Sequence, residues 1–295
     1  MSLIRTVAVL MGGPSDEREI SLASGRAVAK GLRESGFDVR EVDINGRILD
    51  LPEGIDAVFI ALHGAFGEDG GVQAELSKRG IPYTGSNAEA SRKAFDKIAC
   101  KQIMVENGIP TPPYEVLRFG EPCTMEVPVV VKPARQGSSI GIHRVSETSG
   151  MEAALADAFL YDEQVIVEKY IKGRELTVGI VADEILPIVE IDAPDTWYDY
   201  GAKYSDGMSE YLVPAPLDKN CQRACEGFAR NLYKAVGCRG LARVDMRYSC
   251  DGDVYVLELN SIPGFTKTSL LPKAAVHAGM SFNQLCDRVL KTAAC

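Results

Sequence analysis

The sequence predicts an α/β amino-terminal domain followed by two α+β domains, and three observations carry that prediction. Short apolar strands alternate with amphipathic helices through residues 1–92, the pattern of parallel β-α units. Beyond the prolines at 110, 112 and 113, Val127 to Ala134 and Ile140 to Val145 read as a hairpin rather than a crossover, which marks an α+β unit. The chain has 295 residues, 46% hydrophobic and 25% charged, ordinary values for a globular protein with room for more than one core. The expected division is 1–92, 93–174 and 175–295.

Taken in order, Thr6 to Leu10 is the first strand. After the turn at Gly12-Gly13-Pro14, Ser15 or Asp16 is placed to cap a helix whose Ile20, Ala23, Ala27, Val28 and Leu32 share a face, and Gly36 ends it. Val39 to Val42 and Ala57 to Leu62 are the next strands; the latter is apolar throughout and is expected to be central. Asn87 to Asn107 reads as one helix closed by Gly108. Val127 to Ala134 and Ile140 to Val145 flank a bend rich in Gly and Ser. A helix near Glu147 to Tyr161 and a strand at Gln164 to Tyr170 follow, then two antiparallel strands within Glu175 to Ile191 joined at Asp183-Glu184. Residues 192–216 lack periodicity, as a lid or binding loop does. A helix from Asp218 to Val236, strands at Leu241 to Ser249 and Asp253 to Asn260, and a last helix from Ser281 complete the chain.

Composition removes several function classes. With 41 acidic and 32 basic residues the net charge is -9, and no basic cluster serves nucleic acid. No apolar run reaches the roughly 20 residues of a membrane helix, and Met1 to Leu10 lacks a cleavable signal pattern, so no membrane role is expected and the expected compartment is the cytoplasm. The eight cysteines form no C-x-x-C pair and read as reduced thiols. The three histidines, His63, His143 and His277, have no metal-ligand spacing.

The most informative segment is the ribbon at residues 241–260. A two-residue turn at Asp251-Gly252 sets Asp245 opposite Glu258 and Arg243 opposite Asn260. Residues two apart share a face, so these four polar groups converge, while Val244, Met246 and Tyr248 meet Leu259, Leu257 and Tyr255 on the apolar side. Two carboxylates about 5 Å apart repel unless a cation or a proton lies between them. A donor set of Asp, Glu and Asn oxygens suits Mg²⁺; a solvated face neutralised by Arg243 is the alternative. The break into Ser261-Ile262-Pro263-Gly264 at the strand end favours a site.

Mg²⁺ held by few carboxylates keeps company with phosphates. Lys132 ends the apolar run Val129-Val130-Val131, and Gln136-Gly137-Ser138-Ser139 follows, so an ammonium and backbone N–H groups can surround a phosphoryl group, although many such bends are plain turns. Neither a P-loop nor a dinucleotide fingerprint is present.

Together these residues resemble the ATP-grasp ligases, and within them the D-alanine:D-alanine ligases. The likeness spans almost the whole chain: Gly12 to Glu19, Leu62-His63-Gly64 with Gly67-Glu68-Asp69-Gly70, Pro82 to Ser86, Asp96-Lys97, Val131-Lys132-Pro133, Gly137-Ser138-Ser139, Tyr198 to Tyr204, Arg243-Val244-Asp245, and Glu258-Leu259-Asn260 with Pro263-Gly264. The chain departs from the family pattern at Ala134, Gln136, Trp197 and Lys267.

The resemblance implies an ATP-grasp architecture and ATP-dependent joining of two D-alanines through an acyl phosphate, a step in peptidoglycan precursor synthesis. D-alanine and ATP would be the small-molecule partners, with two Mg²⁺ ions (Mn²⁺ as an alternative) on Asp245, Glu258 and Asn260. Lys97 and Lys132 would contact the ATP phosphates beside Ser139. Glu168, Lys169, Tyr170 and Ile171 would receive the adenine, with Trp197 stacking on it, and Glu175 would bind the ribose. Glu17, linked to Ser138 and Tyr204, would hold the first ammonium, although by position alone it is equally a surface acid in a helix's first turn. Arg243 would stabilise the tetrahedral oxyanion. His63, Lys203, Gly264, Ser269 and Leu270 would complete the substrate pocket. On spacing alone a core histidine at His63, a helix cap at Ser269 and a loop tip at Lys203-Tyr204 are the alternatives. The resemblance also suggests a homodimer. A D-alanine:D-serine ligase is the nearest alternative.

Overall fold

The computed structural model describes residues 4–192 and 210–295. Three sheets organise them. The first has order β2-β1-β3, all parallel, from β1 (Thr6–Gly12), β2 (Asp38–Ile44) and β3 (Ala57–Ile60). Helix α1 (Arg18–Glu34) returns the chain from β1 to β2 as right-handed crossovers require. β1, not β3, is the central strand. β3 is nevertheless buried at every position, because Tyr83 bridges Val58 on its open side and side chains cover both faces.

The N-terminus of α1 corrects a second expectation. Neither Ser15 nor Asp16 caps it; Glu17 holds the cap position without a side-chain bond. The Ser15 hydroxyl instead donates to the His63 carbonyl at 2.6 Å, tying the β1–α1 turn to the loop after β3. Helix α2 (Gly71–Lys78) follows; the sequence reading did not include it.

The expected helix over 87–107 divides into α3 (Ala88–Phe95) and α4 (Lys97–Glu106). Asp96 is extended, and its carboxylate accepts from the Ile98 and Ala99 amides at 2.9 and 3.1 Å. An Asp that can cap competes with helix continuation, and here the cap wins. Lys97 is thereby set at the first position of α4.

The second sheet has order β4-β7-β5-β6, antiparallel throughout, from β4 (Tyr114–Arg118), β5 (Val129–Pro133), β6 (His143–Val145) and β7 (Gln164–Lys169). β5 and β6 form the expected hairpin, and α5 (Met151–Ala158) covers one face through Ala154 and Ala158. β4 was not anticipated. The third sheet runs β11-β10-β8-β12-β13, from β8 (Gly173–Val181), β9 (Glu184–Ile185, paired with β8), β10 (Val189–Asp192), β11 (Glu210–Leu212), β12 (Leu241–Ser249) and β13 (Val254–Asn260). Helix α6 (Lys219–Val236), capped by Asp218, packs Cys225, Ala229 and Leu232 on Val178, Val244 and Val256.

The last helices, α7 (Leu270–His277) and α8 (Phe282–Leu290), return to the first sheet. Leu271, Leu285 and Val289 share one core with Val7, Val9 and Phe59. Ser281 caps α8 as expected, with a complete capping box; α7 was missed. All eight cysteines are free thiols, and no helix among the described residues is long and apolar enough to cross a membrane.

Gly173 joins the second sheet to the third. Its φ is +151°, and a Cβ there would fall 2.0 Å from the Tyr248 carbonyl oxygen. Gly173→Ala must therefore push β8 off β12. The expected result is a loss of about 3 kcal/mol in urea unfolding.

Candidate active site

Strands β12 and β13 place Asp245 opposite Glu258 and Arg243 opposite Asn260, as the sequence predicts, but by a different route. The turn is not the two-residue one. The Ser249 amide donates to the Asp253 carbonyl at 2.8 Å, residues 250–252 form a three-residue loop, and Gly252 takes φ +91°. That loop alone would shift the register by one. A bulge between Asp245 and Met246 on β12, facing the extra residue Leu257 on β13, shifts it back. The apolar face is corrected accordingly. Val254, Val256 and Leu259 are buried, whereas Leu257 lines the polar cleft.

Asp245 is the most heavily bonded group there. Arg243 donates to it through Nε and Nη2 at 2.8 and 2.7 Å, Asn260 Nδ2 donates at 3.0 Å, and Thr177 Oγ1 donates at 2.6 Å from β8. Glu258 lies 3.9 Å from the Lys97 ammonium. Among the described residues, no group of three His, Cys, Asp or Glu side chains is placed to hold a metal ion. The donor set is two carboxylates and one amide, all oxygen donors, of which Asp245 would have to exchange hydrogen bonds from Arg243, Thr177 or Asn260 for a cation. So small a set fits Mg²⁺ shared with phosphate oxygens and does not fit a metal caged by protein alone.

The cleft beside this ribbon is lined by Lys97, Lys132, Gly137 to Ser139, Glu168 to Ile171, Glu175, Asp245, Glu258 and Asn260. It collects the expected nucleotide and metal residues, Trp197 apart, from 93–174 and 175–295, and Glu68 joins the lining from the first region. Lys97 donates to the Gln136 carbonyl, so α4 and the 136–139 bend are held together. Lys132 pairs with the Glu168 carboxylate, whose second oxygen lies 2.7 Å from Lys101. Burial opposes ionisation of Glu168, but the two ammonium groups outweigh it and hold its pKa down at about 2. Glu175 meets Arg247 at 3.0 Å.

On the other side of the 136–139 bend, Ser138 donates to Glu17. A Cβ on Gly137 would fall 2.4 Å from Glu17 Oε2, so only glycine lets the bend approach this carboxylate. Ser138 and Ser139 take φ +48° and +62°, left-handed values that place backbone strain at the bend. His63 is 4% exposed; its Nε2 lies 3.2 Å from Ser24 Oγ, and burial pushes its pKa down. Ser24 also accepts from the Phe265 amide at 3.2 Å, which links His63 to the Gly264–Leu270 segment. Ser269 does not cap α7 with its side chain. Its Oγ accepts from the Thr266 amide at 3.1 Å and lies 2.9 Å from where a Cβ on Gly264 would fall, while Leu270 opens the helix. Trp197, Lys203 and Tyr204 lie outside the described residues.

Four residues escaped the sequence reading as site members. Glu68 accepts from the Gly64 amide at 2.8 Å; burial, then the Glu17 charge, push its pKa up to about 8. Thr177 and Arg247 follow from the β8–β12 register, which sequence spacing does not supply. Lys101 is one helical turn after Lys97, a signal available in the sequence.

Comparison with known proteins decides the family. The family model described as the D-ala D-ala ligase C-terminus matches residues 103–291, and that of the N-terminus matches residues 46–86.

The chain belongs to the D-ala D-ala ligase family. The D-alanine–D-alanine ligase of Methylacidiphilum infernorum is 44% identical over 290 residues, covering 98% of this chain and 96% of that one. That of Syntrophotalea carbinolica is 45% identical over 291 residues, covering 97% and 95%. Among solved structures, D-alanine–D-alanine ligase from Bacillus anthracis complexed with ATP superposes with a TM-score of 0.87 at 35% identity, covering 99% of this chain and 97% of that one. The VanG D-Ala:D-Ser ligase from Enterococcus faecalis gives 0.85 at 28%, covering 98% and 99%. The three-sheet arrangement of this D-ala D-ala ligase family member is the ATP-grasp architecture.

Proposed function

We propose that this chain joins two D-alanines at the expense of ATP, through D-alanyl phosphate. One observation carries the reading: Asp245 faces Glu258 across the ribbon in the same cleft as Lys97 and Lys132, while the Glu17–Ser138 pair lies just across the 136–139 bend. That arrangement supports the reading of an amino-acid ammonium site beside a triphosphate site. A carboxylate oxygen of the first D-alanine attacks the γ-phosphorus and ADP leaves. The amine of the second attacks the acyl carbon, and inorganic phosphate leaves.

Glu17 holds the first ammonium, and Ser138 orients Glu17. Lys97 and Lys132 grip phosphate oxygens by charge-assisted hydrogen bonds. Arg243 donates to the oxyanion that develops at the acyl carbon. Asp245, Glu258 and Asn260 would hold Mg²⁺, which when bound neutralises phosphate charge. His63 and the Gly264–Leu270 segment, joined through Ser24, form the wall for substrate carboxylates. Lys203, Tyr204 and Trp197 belong to the same reading as lid residues, on the family likeness.

The division into 1–92, 93–174 and 175–295 is supported by one sheet in each, save that β8 begins at Gly173 and the last helices pack on the core of the first sheet. A cytoplasmic homodimer completes the reading, and sedimentation of the purified chain checks the dimer. The decisive assay is phosphate release with ATP, Mg²⁺ and D-alanine, the product identified by mass. The likeness to the VanG ligase makes D-alanyl-D-serine the second product to test, and a mixture of D-alanine and D-serine separates the two.

Glu17→Gln removes the charge that faces the ammonium but keeps the shape. The expected result is a KM for D-alanine raised about 10- to 100-fold, with ADP affinity within about twofold of the parent. Equal losses for both ligands would remove Glu17 from the substrate site.

A further inference from the structure

Lys101 lies outside the cleft lining, yet it is buried to 1% exposure beneath it. Its ammonium is held from three sides: Glu168 Oε2 at 2.7 Å, Thr111 Oγ1 at 2.7 Å, and the face of the Tyr114 ring at 5.2 Å. Glu168, 2% exposed, gives its other oxygen to Lys132, which does line the cleft. Two ammonium groups thus share one buried carboxylate, each on its own oxygen. One of the two is fixed by a hydroxyl and a ring, and the other faces the place where phosphate is read to bind.

We propose that Lys101 is a positioning residue that keeps Glu168 paired when Lys132 turns from it to a nucleotide phosphate. The inference rests on the cleft being the ATP site. Its physical ground is the cost of an unpaired buried carboxylate, which far exceeds that of exchanging one partner of a doubly paired one. Without Lys101, Glu168 would have Lys132 as its near cation, and Lys132 could reach a phosphate only by leaving a buried anion alone. With Lys101 in place, Lys132 is a shared partner and can be released. Thr111, whose hydroxyl is the third anchor, fixes the Lys101 ammonium on the far oxygen, so that it does not compete for the cleft.

A merely structural staple between α4 and β7 would lower stability and weaken every ligand alike. The positioning role instead concerns the phosphate-dependent part of nucleotide binding. Calorimetric titration of the full chain with adenosine and with ADP and Mg²⁺ separates the two through the ratio of their dissociation constants. Lys101→Met is expected to reduce that ratio about 10- to 100-fold by weakening ADP, with adenosine within about threefold of the parent. Lys101→Met with Glu168→Gln is expected to recover much of the ratio, because the neutral amide no longer retains Lys132. Thr111→Val is expected to shift it in the same direction as Lys101→Met by a smaller factor, and serves as the test if Lys101→Met does not fold. An unchanged ratio in Lys101→Met or in Thr111→Val, or no recovery in the double variant, overturns the proposal. A parent chain that binds no ADP would defeat the nucleotide reading itself, a result separable from all of these.

Discussion

Glu258→Gln is expected to bind ATP while releasing phosphate about 100- to 1,000-fold more slowly than the parent at saturating D-alanine. The amide keeps the volume and one oxygen, so the ribbon and its register survive. What goes is one of the two facing negative charges, and with it the balance against divalent cation and the Lys97 ammonium at 3.9 Å. Binding measured by ADP titration and turnover measured by phosphate release read the two consequences separately. Turnover equal to that of the parent at saturating Mg²⁺ would exclude Glu258 from the metal set.

Arg243→Met is expected to lower turnover by a comparable factor, about 100- to 1,000-fold, for a different reason. The guanidinium fork is bidentate on Asp245 and half-buried, so it is a preorganised donor with little rearrangement left to make. Lysine at this position keeps the charge and loses the fork. Arg243→Lys should therefore recover less than a tenth of the lost rate, by the general scale of a missing charge-assisted hydrogen bond, about 1.5–3 kcal/mol. Full recovery by lysine would mean that charge alone suffices and that the fork has no part in the reaction.

Much of this site was legible because side-chain alternation on a strand has a strict period of two. Asp245 facing Glu258 follows from that period plus a register, and the register held at the site even though the turn was misread. The three-residue loop and the bulge at Leu257 offset one another, and neither has a sequence signal strong enough to separate it from an Asp-Gly turn. The same offset explains why Leu257 and Tyr255 were assigned to the wrong face while Val254 and Val256 were overlooked. Asp96 misled in a related way: a residue that is tolerable in a helix became a cap, and the expected single helix divided there. Ser15 was available as a cap and was drawn instead to the His63 carbonyl, a contact 48 positions away that local pattern cannot foresee. Glu68, Thr177 and Arg247 belong to that class too, since their roles depend on how sheets meet. Lys101 is the exception; its spacing from Lys97 was visible, but its burial was not.

The paired irregularities in the β12–β13 ribbon bear on how such an enzyme can be altered. Residues 250–252 form the exposed tip of the ribbon, on the far side of the bulge from Asp245, and β12 keeps its pairing with β8 through the bulge as far as Ser249. Loop residues 250–252 are thus a tolerant port for grafting a reporter peptide. Deleting Leu257, the extra residue, would close the bulge and leave Glu258 opposite Asp245 and Asn260 opposite Arg243, so the acidic face would survive in a straightened ribbon while the cleft lost one apolar wall.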